Sequence, residues 1–176
     1  MILTTAAAAA VTSVAPALAD TDSVSDPRGD TMGHPSGSRA NVDIVGSSAG
    51  DAKHGKIVQT VKVAGKAGDP HHGGLVPLLY INVASYGGGT RECDFYVGRL
   101  HGRDGVFTCA TQYRVGSATV TRKSGNTIRY VFSPRAIGKP SEYEWAFVLQ
   151  AKADGTIEDF DRVPDTQVGM ETYRVR

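Results

Sequence analysis

Hydrophobic residues recur at every second position along much of this chain, which is the pattern of half-buried β-strands. The clearest run is Tyr143–Gln150, in which Tyr143, Trp145, Phe147 and Leu149 fall on one face. A second run, Lys56–Val63, alternates in the same way. The alternation predicts that Trp145 lies in a core rather than on the surface.

Other strand-like segments are separated by turn signals. They are Leu75–Val83, Asp94–Val97, Val106–Cys109, Ser117–Arg122, Thr127–Phe132 and Glu171–Val175. Leu75–Val83 is apolar on both faces and is predicted to be a central strand. The 21 glycines and 8 prolines favour many turns and few helices. We therefore predict an all-β fold, an antiparallel, jelly-roll-like β-sandwich of about eight or nine strands.

The N-terminus has the composition of a targeting segment. Residues 2–18 are apolar and rich in alanine, and they end in Ala17-Leu18-Ala19, a small-x-small cleavage pattern. We expect residues 1–19 to be a cleaved signal peptide, 20–38 an N-terminal arm and loop, and 39–176 one sandwich domain. The protein is then secreted and extracellular, with no membrane span.

Charge and cysteine content narrow the function further. The formal net charge of +1 gives no reason to expect a nucleic-acid partner. The two cysteines, Cys93 and Cys109, flank a turn in strand-like segments. In an exported protein they favour a disulfide across one hairpin.

Two acidic clusters lie near the ends of the predicted mature chain. The first contains Asp26 and Asp30 and is followed by Asp43, and the second is Glu158–Asp161 followed by Asp165. Each lies in a turn-prone segment. Carboxylates that are held close together repel unless a cation lies between them, and flexible loops of oxygen ligands suit Ca²⁺. Solvated turns are the alternative, because Asp and Gly are favoured there.

The order of several short motifs along the chain carries a resemblance to a known superfamily. These motifs are Asp26-Pro27-x-Gly29-Asp30, Val42-Asp43-Ile44, Tyr96-Val97, Tyr130-x-Phe132, Ile137-Gly138-x-Pro140, Tyr143-x-Trp145 and Asp161-x-x-Pro164-Asp165. Together they resemble the DOMON-like β-sandwich superfamily, and are similar to family-nine-type carbohydrate-binding modules and to the C-terminal module of glucodextranase.

The resemblance implies a structural calcium ion and a sugar ligand, namely a polysaccharide or cell-wall glycan. By position, it implies the calcium ligands Asp26, Asp30, Asp43, Asp161 and Asp165. A pyranose ring stacks on an exposed aromatic side chain, and polar partners complete such a groove. The candidate aromatic residues are Tyr80, Tyr86, Tyr96 and Tyr113, and the candidate polar partners are Asn82, Arg91, Gln112 and Arg114.

Catalytic motifs are missing from the sequence. It contains no Gly-x-Ser-x-Gly elbow, phosphate loop or His-Glu-x-x-His motif. Glu142 and Glu144 are a candidate pair for glycoside hydrolysis, but they alternate with the aromatic run and are predicted to line an exposed face. We predict a non-catalytic, calcium-stabilised, carbohydrate-binding module. The alternatives are a cell-envelope structural or protein-interaction domain without sugar binding and, third, a small hydrolase.

Overall fold

The computed structural model describes residues 21–33, 40–52, 55–70, 74–84, 93–153, 156–164 and 170–175. These residues form thirteen strands and one short 3₁₀ helix at Pro134–Ile137. The strands are β1 (Thr21–Ser25), β2 (Met32–Gly33), β3 (Ile44–Ala52), β4 (Lys56–Val63), β5 (Leu75–Asn82), β6 (Phe95–Leu100), β7 (Arg103–Thr108), β8 (Arg114–Gly116), β9 (Ala118–Ser124), β10 (Thr127–Phe132), β11 (Glu142–Ala153), β12 (Thr156–Val163) and β13 (Glu171–Arg174). The signal peptide predicted for residues 1–19 lies outside the described residues.

The strands form two antiparallel sheets. The smaller sheet has the order β1-β3-β4-β10-β9, and the larger has the order β2-β12-β11-β5-β6-β7-β8, with β13 paired to the first part of β11. This confirms the predicted all-β sandwich. The strand number exceeds the expected eight or nine, partly because the sheets end in very short strands such as β2 and β8.

The core lies between the inward faces of the two sheets. The aromatic run of β11 supplies Tyr143, Trp145, Phe147 and Leu149, all at most 1% exposed. Ile57, Val61 and Val63 of β4 face them from the smaller sheet and are fully buried. Trp145 is therefore a core residue, as the alternation predicts.

Polar strands are the elements that the hydrophobic pattern does not reveal. Segment 20–38, expected to be an arm and loop, contains β1 and β2, and the Gly- and Ser-rich β3 precedes β4. Backbone pairing holds these segments, because β3 lies between β1 and β4 and β2 pairs with β12. Such pairing leaves little trace in side-chain periodicity.

The second acidic cluster also differs from its prediction. Glu158–Asp161 lies inside β12 rather than in a turn, and β12 is hydrogen-bonded to the long strand β11. Pairing with β11 thus holds this acidic run in an extended strand, together with the β-forming residues Thr156, Ile157, Phe160 and Val163.

The predicted disulfide is confirmed. Cys93 precedes β6 and Cys109 follows β7, with their Cα atoms 5.9 Å apart. The Cys109 amide also donates to the Asp94 carbonyl at 2.9 Å, so the bridge closes the open end of the β6–β7 hairpin. In the part of the chain that the structure describes, no helix has the length and apolar character needed to cross a bilayer.

Candidate functional site

An open groove of about 430 Å³ lies on the outer face of the larger sheet. We call it the outer groove. Its apolar floor consists of Val76, Leu78, Tyr80, Tyr96 and Leu100 from β5 and β6. Its rim includes Arg99, Gln112, Gln150, Lys152 and the Cys93–Cys109 bridge. The volume is in the range of small-ligand sites.

The two-residue period of β5 creates this floor. Leu79 and Ile81 point into the core, whereas Val76, Leu78 and Tyr80 are half-buried on the other face. A strand that is apolar on both faces therefore serves the core and the groove at once.

Two tyrosines lie side by side in the floor. Tyr80 on β5 is the register partner of Tyr96 on β6. The Tyr96 ring stacks on Phe107 with a centroid separation of 5.1 Å and an interplanar angle of 19°. Burial raises the pKa of the Tyr96 hydroxyl, and the neighbouring Tyr80 raises it further. The Tyr96 hydroxyl is therefore a neutral donor at neutral pH.

Paired glycines make room for neighbouring side chains on the outer face beside these rings. Gly98 of β6 lies opposite Gly105 of β7. A Cβ atom at Gly98 would lie 3.0 Å from Leu78 Cδ2, and one at Gly105 would lie 2.7 Å from Arg114 Nε. The missing side chains let Leu78 and Arg114 lie close to the sheet.

The polar rim comes from a strand and a turn. Gln150 and Lys152 alternate with inward residues at the end of β11. Gln112 lies in the turn after β7 and has φ of 56°. Its backbone N–H donates to the Thr108 carbonyl at 2.8 Å. The side-chain amides of Gln112 and Gln150 supply both hydrogen-bond donors and acceptors.

The structure brings together some of the predicted ligand-binding residues and separates others. Tyr80, Tyr96 and Gln112 all line the outer groove. Tyr113 is 72% exposed but lies off its lining. Asn82 instead donates to Met170 Sδ at 2.9 Å, and Tyr86 and Arg91 lie outside the described residues.

Besides the two bridged cysteines, six lining residues were not among the predicted ligand-binding residues. They are Val76, Leu78, Arg99, Leu100, Gln150 and Lys152. The sequence did contain a signal for Val76 and Leu78. A central strand that is apolar on both sides has one face in the core, and its other face must lie against a second surface or a ligand.

A second site gathers carboxylates from the two ends of the described chain. Asp26 and Asp30 lie in the loop between β1 and β2, and Asp161 lies on β12. One carboxylate oxygen from each lies within 4.8 Å of the other two. We call this group the carboxylate cluster.

Backbone amides position the buried acids at this cluster. Asp161, 2% exposed, accepts from the Ile44 amide at 2.6 Å and from the Arg162 amide at 2.8 Å. Asp43, 4% exposed, accepts from the Gly29 amide at 3.1 Å. Asp161 thereby joins β12 of the larger sheet to the start of β3 in the smaller one.

The electrostatics of the cluster favour a cation. Burial raises the pKa of Asp161 to about 6, and the charges of Asp30 and Asp43 act in the same direction. The backbone hydrogen bonds from Ile44 and Arg162 oppose this rise without cancelling it. The negative charge of Asp161 is therefore disfavoured first by burial and then by its acidic neighbours.

The donor set fits the calcium ion that the sequence predicts. All the described candidate ligands are hard carboxylate oxygens, and they come from a loop and a strand rather than from one rigid motif. Asp26, Asp30 and Asp161 would hold the ion, with Asp43 beside them. Asp165, the fifth predicted ligand, lies outside the described residues.

Glu142 and Glu144 occupy the opposite end of the outer face from Lys152. Both are exposed and line a separate hollow of about 270 Å³ together with Asn82 and Thr172. Glu142 also lies 3.6 Å from Arg174 Nε. Their position on the exposed face of β11 agrees with the alternation in the sequence.

Comparisons with protein-family models, with curated proteins and with solved structures gave no match for this chain. The resemblance to DOMON-like sandwiches stays a prediction from the sequence motifs.

Proposed function

We propose that this protein is an exported, non-catalytic module that binds carbohydrate in the outer groove and is stabilised by calcium at the carboxylate cluster. The observation that carries the proposal is Tyr80, half-buried in the floor of an open groove, with the buried Tyr96 beside it. Aromatic and aliphatic surface accepts the apolar face of a sugar ring, and the glutamine amides on the rim match its hydroxyls.

The two sites have separate roles in this proposal. The outer groove lies on the exposed face of the larger sheet, whereas the carboxylate cluster lies where β12 meets the start of β3. Calcium there acts on stability rather than on ligand contact. Removing calcium would weaken sugar binding only by unfolding the module.

A polysaccharide array tests the sugar proposal directly. The array should hold neutral and acidic polymers from plant, fungal and bacterial cell walls. We expect the wild-type protein to bind at least one class of these polysaccharides. The Tyr80→Ala variant should lose most of this binding, because the substitution removes a ring from the groove floor.

The matched control is Tyr113→Ala. Tyr113 is a highly exposed tyrosine that does not line the groove, so its removal should leave binding unchanged. Melting curves of both variants separate a lost contact from a lost fold. Absence of binding to every polymer class would contradict the proposal and favour a cell-envelope interaction domain.

A further inference from the structure

We propose that the outer groove selects an acidic saccharide, one that carries carboxylates such as those of uronic acids, and directs a carboxylate toward Lys152. This inference rests on the proposed function, because it names the class of sugar that the same groove would take.

The charge of the groove lining carries the inference. Among the described residues of the lining, Arg99 and Lys152 are the charged ones, and both are cationic. Arg99 has the same parity on β6 as the core residues Phe95 and Val97 and is paired with Asp104, so Lys152 supplies the charge that the groove presents to a ligand. A concave surface with one sign of charge concentrates ligands of the opposite sign.

The two cations have different surroundings. Arg99 Nη1 donates to Asp104 Oδ1 at 3.0 Å, and Asp104 Oδ2 also accepts from the Val120 amide at 3.1 Å. The Asp104 carboxylate therefore anchors Arg99 and offsets part of its charge. Lys152 is exposed on the outer face of β11, so it is the stronger candidate for a ligand carboxylate.

Acidic and basic residues lie at opposite ends of the outer face of β11. Glu142 and Glu144 lie at its start, and Lys152 lies near its end. At about 3.3 Å per residue, Glu144 and Lys152 are roughly 26 Å apart along the strand. This separation exceeds the Debye length of about 8 Å at physiological salt, so an anionic ligand in the groove is attracted by Lys152 without being repelled by the glutamates. Gln150, which faces the groove beside Lys152, adds an amide donor at the attractive end.

The test compares two oligosaccharides that share one sugar backbone, the first with free carboxylates and the second with methyl esters in their place. Titration calorimetry should measure binding of tetragalacturonate and of its full methyl ester to the whole protein. We expect the acid to bind roughly tenfold more tightly or better, as one charge-assisted hydrogen bond would provide. Lys152→Gln should bring the affinity for the acid close to that for the ester.

The control is Lys62→Gln, which removes an exposed lysine from β4 of the smaller sheet and should change neither affinity. Equal affinity of the wild type for acid and ester would overturn the inference and leave sugar binding in place. Binding of dextran sulfate that survives Tyr80→Ala, with no binding of tetragalacturonate, would also overturn it. If the protein bound neither oligosaccharide and no polysaccharide on the array, the proposed function would itself be contradicted.

Discussion

Asp161 combines two structural roles in one buried side chain. It belongs to the carboxylate cluster, and it also accepts hydrogen bonds from the Ile44 and Arg162 backbone amides. A backbone donor that is left unsatisfied inside a protein costs about 1–3 kcal/mol. The loss of this side chain should therefore reduce stability even when no metal is present.

In the presence of a chelator, the Asp161→Ala variant should be less stable than the wild type. We expect the free energy of unfolding to fall by roughly 2–4 kcal/mol, because two amides lose their acceptor. Asp161→Asn keeps one acceptor oxygen and should lose less. Urea denaturation measures both variants. An unchanged midpoint for Asp161→Ala would mean that water replaces the carboxylate.

Gln59 is a second residue whose role depends on a distant partner. It is fully buried on the inward face of β4, and its Nε2 donates to the Tyr143 hydroxyl at 2.7 Å. The period of β4 places Gln59 between Ile57 and Val61 on the core face. Its partner lies 84 residues away and cannot be found from that period.

A double-mutant cycle tests this contact. Tyr143→Phe should cost about 1–3 kcal/mol, since it leaves the Gln59 amide without that acceptor in the core. Adding Gln59→Leu removes the stranded amide, so the double variant should lose less than the sum of the two single losses. Additive losses, measured by chemical denaturation, would show that the hydrogen bond contributes little.

At the scale of elements, Gly74 fixes how β5 begins beside β11. It has φ of 74°, and its carbonyl accepts from the Lys152 amide at 2.8 Å. A Cβ atom at this position would collide with the Lys152 carbonyl oxygen. Both the backbone conformation and the space therefore require glycine.

Gly74→Ala should lower the free energy of unfolding by about 1 kcal/mol or more, because φ is positive and the nearest atom is backbone. Gly125→Ala is the matched control, since a Cβ atom there has open space and φ is not positive. Thermal melts of the two variants provide the comparison. Equal melting temperatures would show that β5 shifts to accommodate the methyl group.

The disulfide stabilises the β6–β7 hairpin and one end of the groove. It closes a loop between residues 16 positions apart, for which chain entropy predicts about 3 kcal/mol. The Cys93→Ser, Cys109→Ser double variant should show a lower urea midpoint and weaker ligand binding than wild type. Unchanged binding would mean that the bridge stabilises the hairpin without shaping the groove.

The success of sequence-based prediction varied among the elements. Strands with hydrophobic alternation, such as β4, β10 and β11, could be located within a few residues, because their side chains face one core. Strands β1, β2 and β3 could not, because backbone pairing defines them. The groove was predicted only in part. The spacing of Tyr80 and Tyr96 did not reveal that β5 and β6 are neighbours, or that Gln150 and Lys152 come from the strand on the other side of β5.

At the scale of the whole molecule, the carboxylate cluster links the first and last parts of the sandwich. Bound Ca²⁺ should stabilise the folded state by mass action, by about 2.7 kcal/mol at a concentration one hundred times Kd. For a chain of this size that corresponds to a rise in Tm of roughly 5–11 °C.

Differential scanning fluorimetry with chelator and with added Ca²⁺ measures this shift. Asp30→Asn should abolish it, because Asp30 contributes one of the three converging carboxylates. Glu144→Gln removes an exposed carboxylate elsewhere and should preserve it. A wild-type Tm that is insensitive to chelator and to added Ca²⁺ would contradict the calcium proposal.

The bond between Ile44 and Asp161 has a consequence for folding speed. The two residues are 117 positions apart, and β2 pairs with β12 across a similar span. Chains with contacts of such long range fold slowly, on a millisecond-to-second scale, because loops must close before these contacts form. Until Asp161 has been synthesised, the Ile44 amide has no carboxylate to which it can donate, so the contact between β12 and the start of β3 cannot form during the synthesis of the preceding 160 residues.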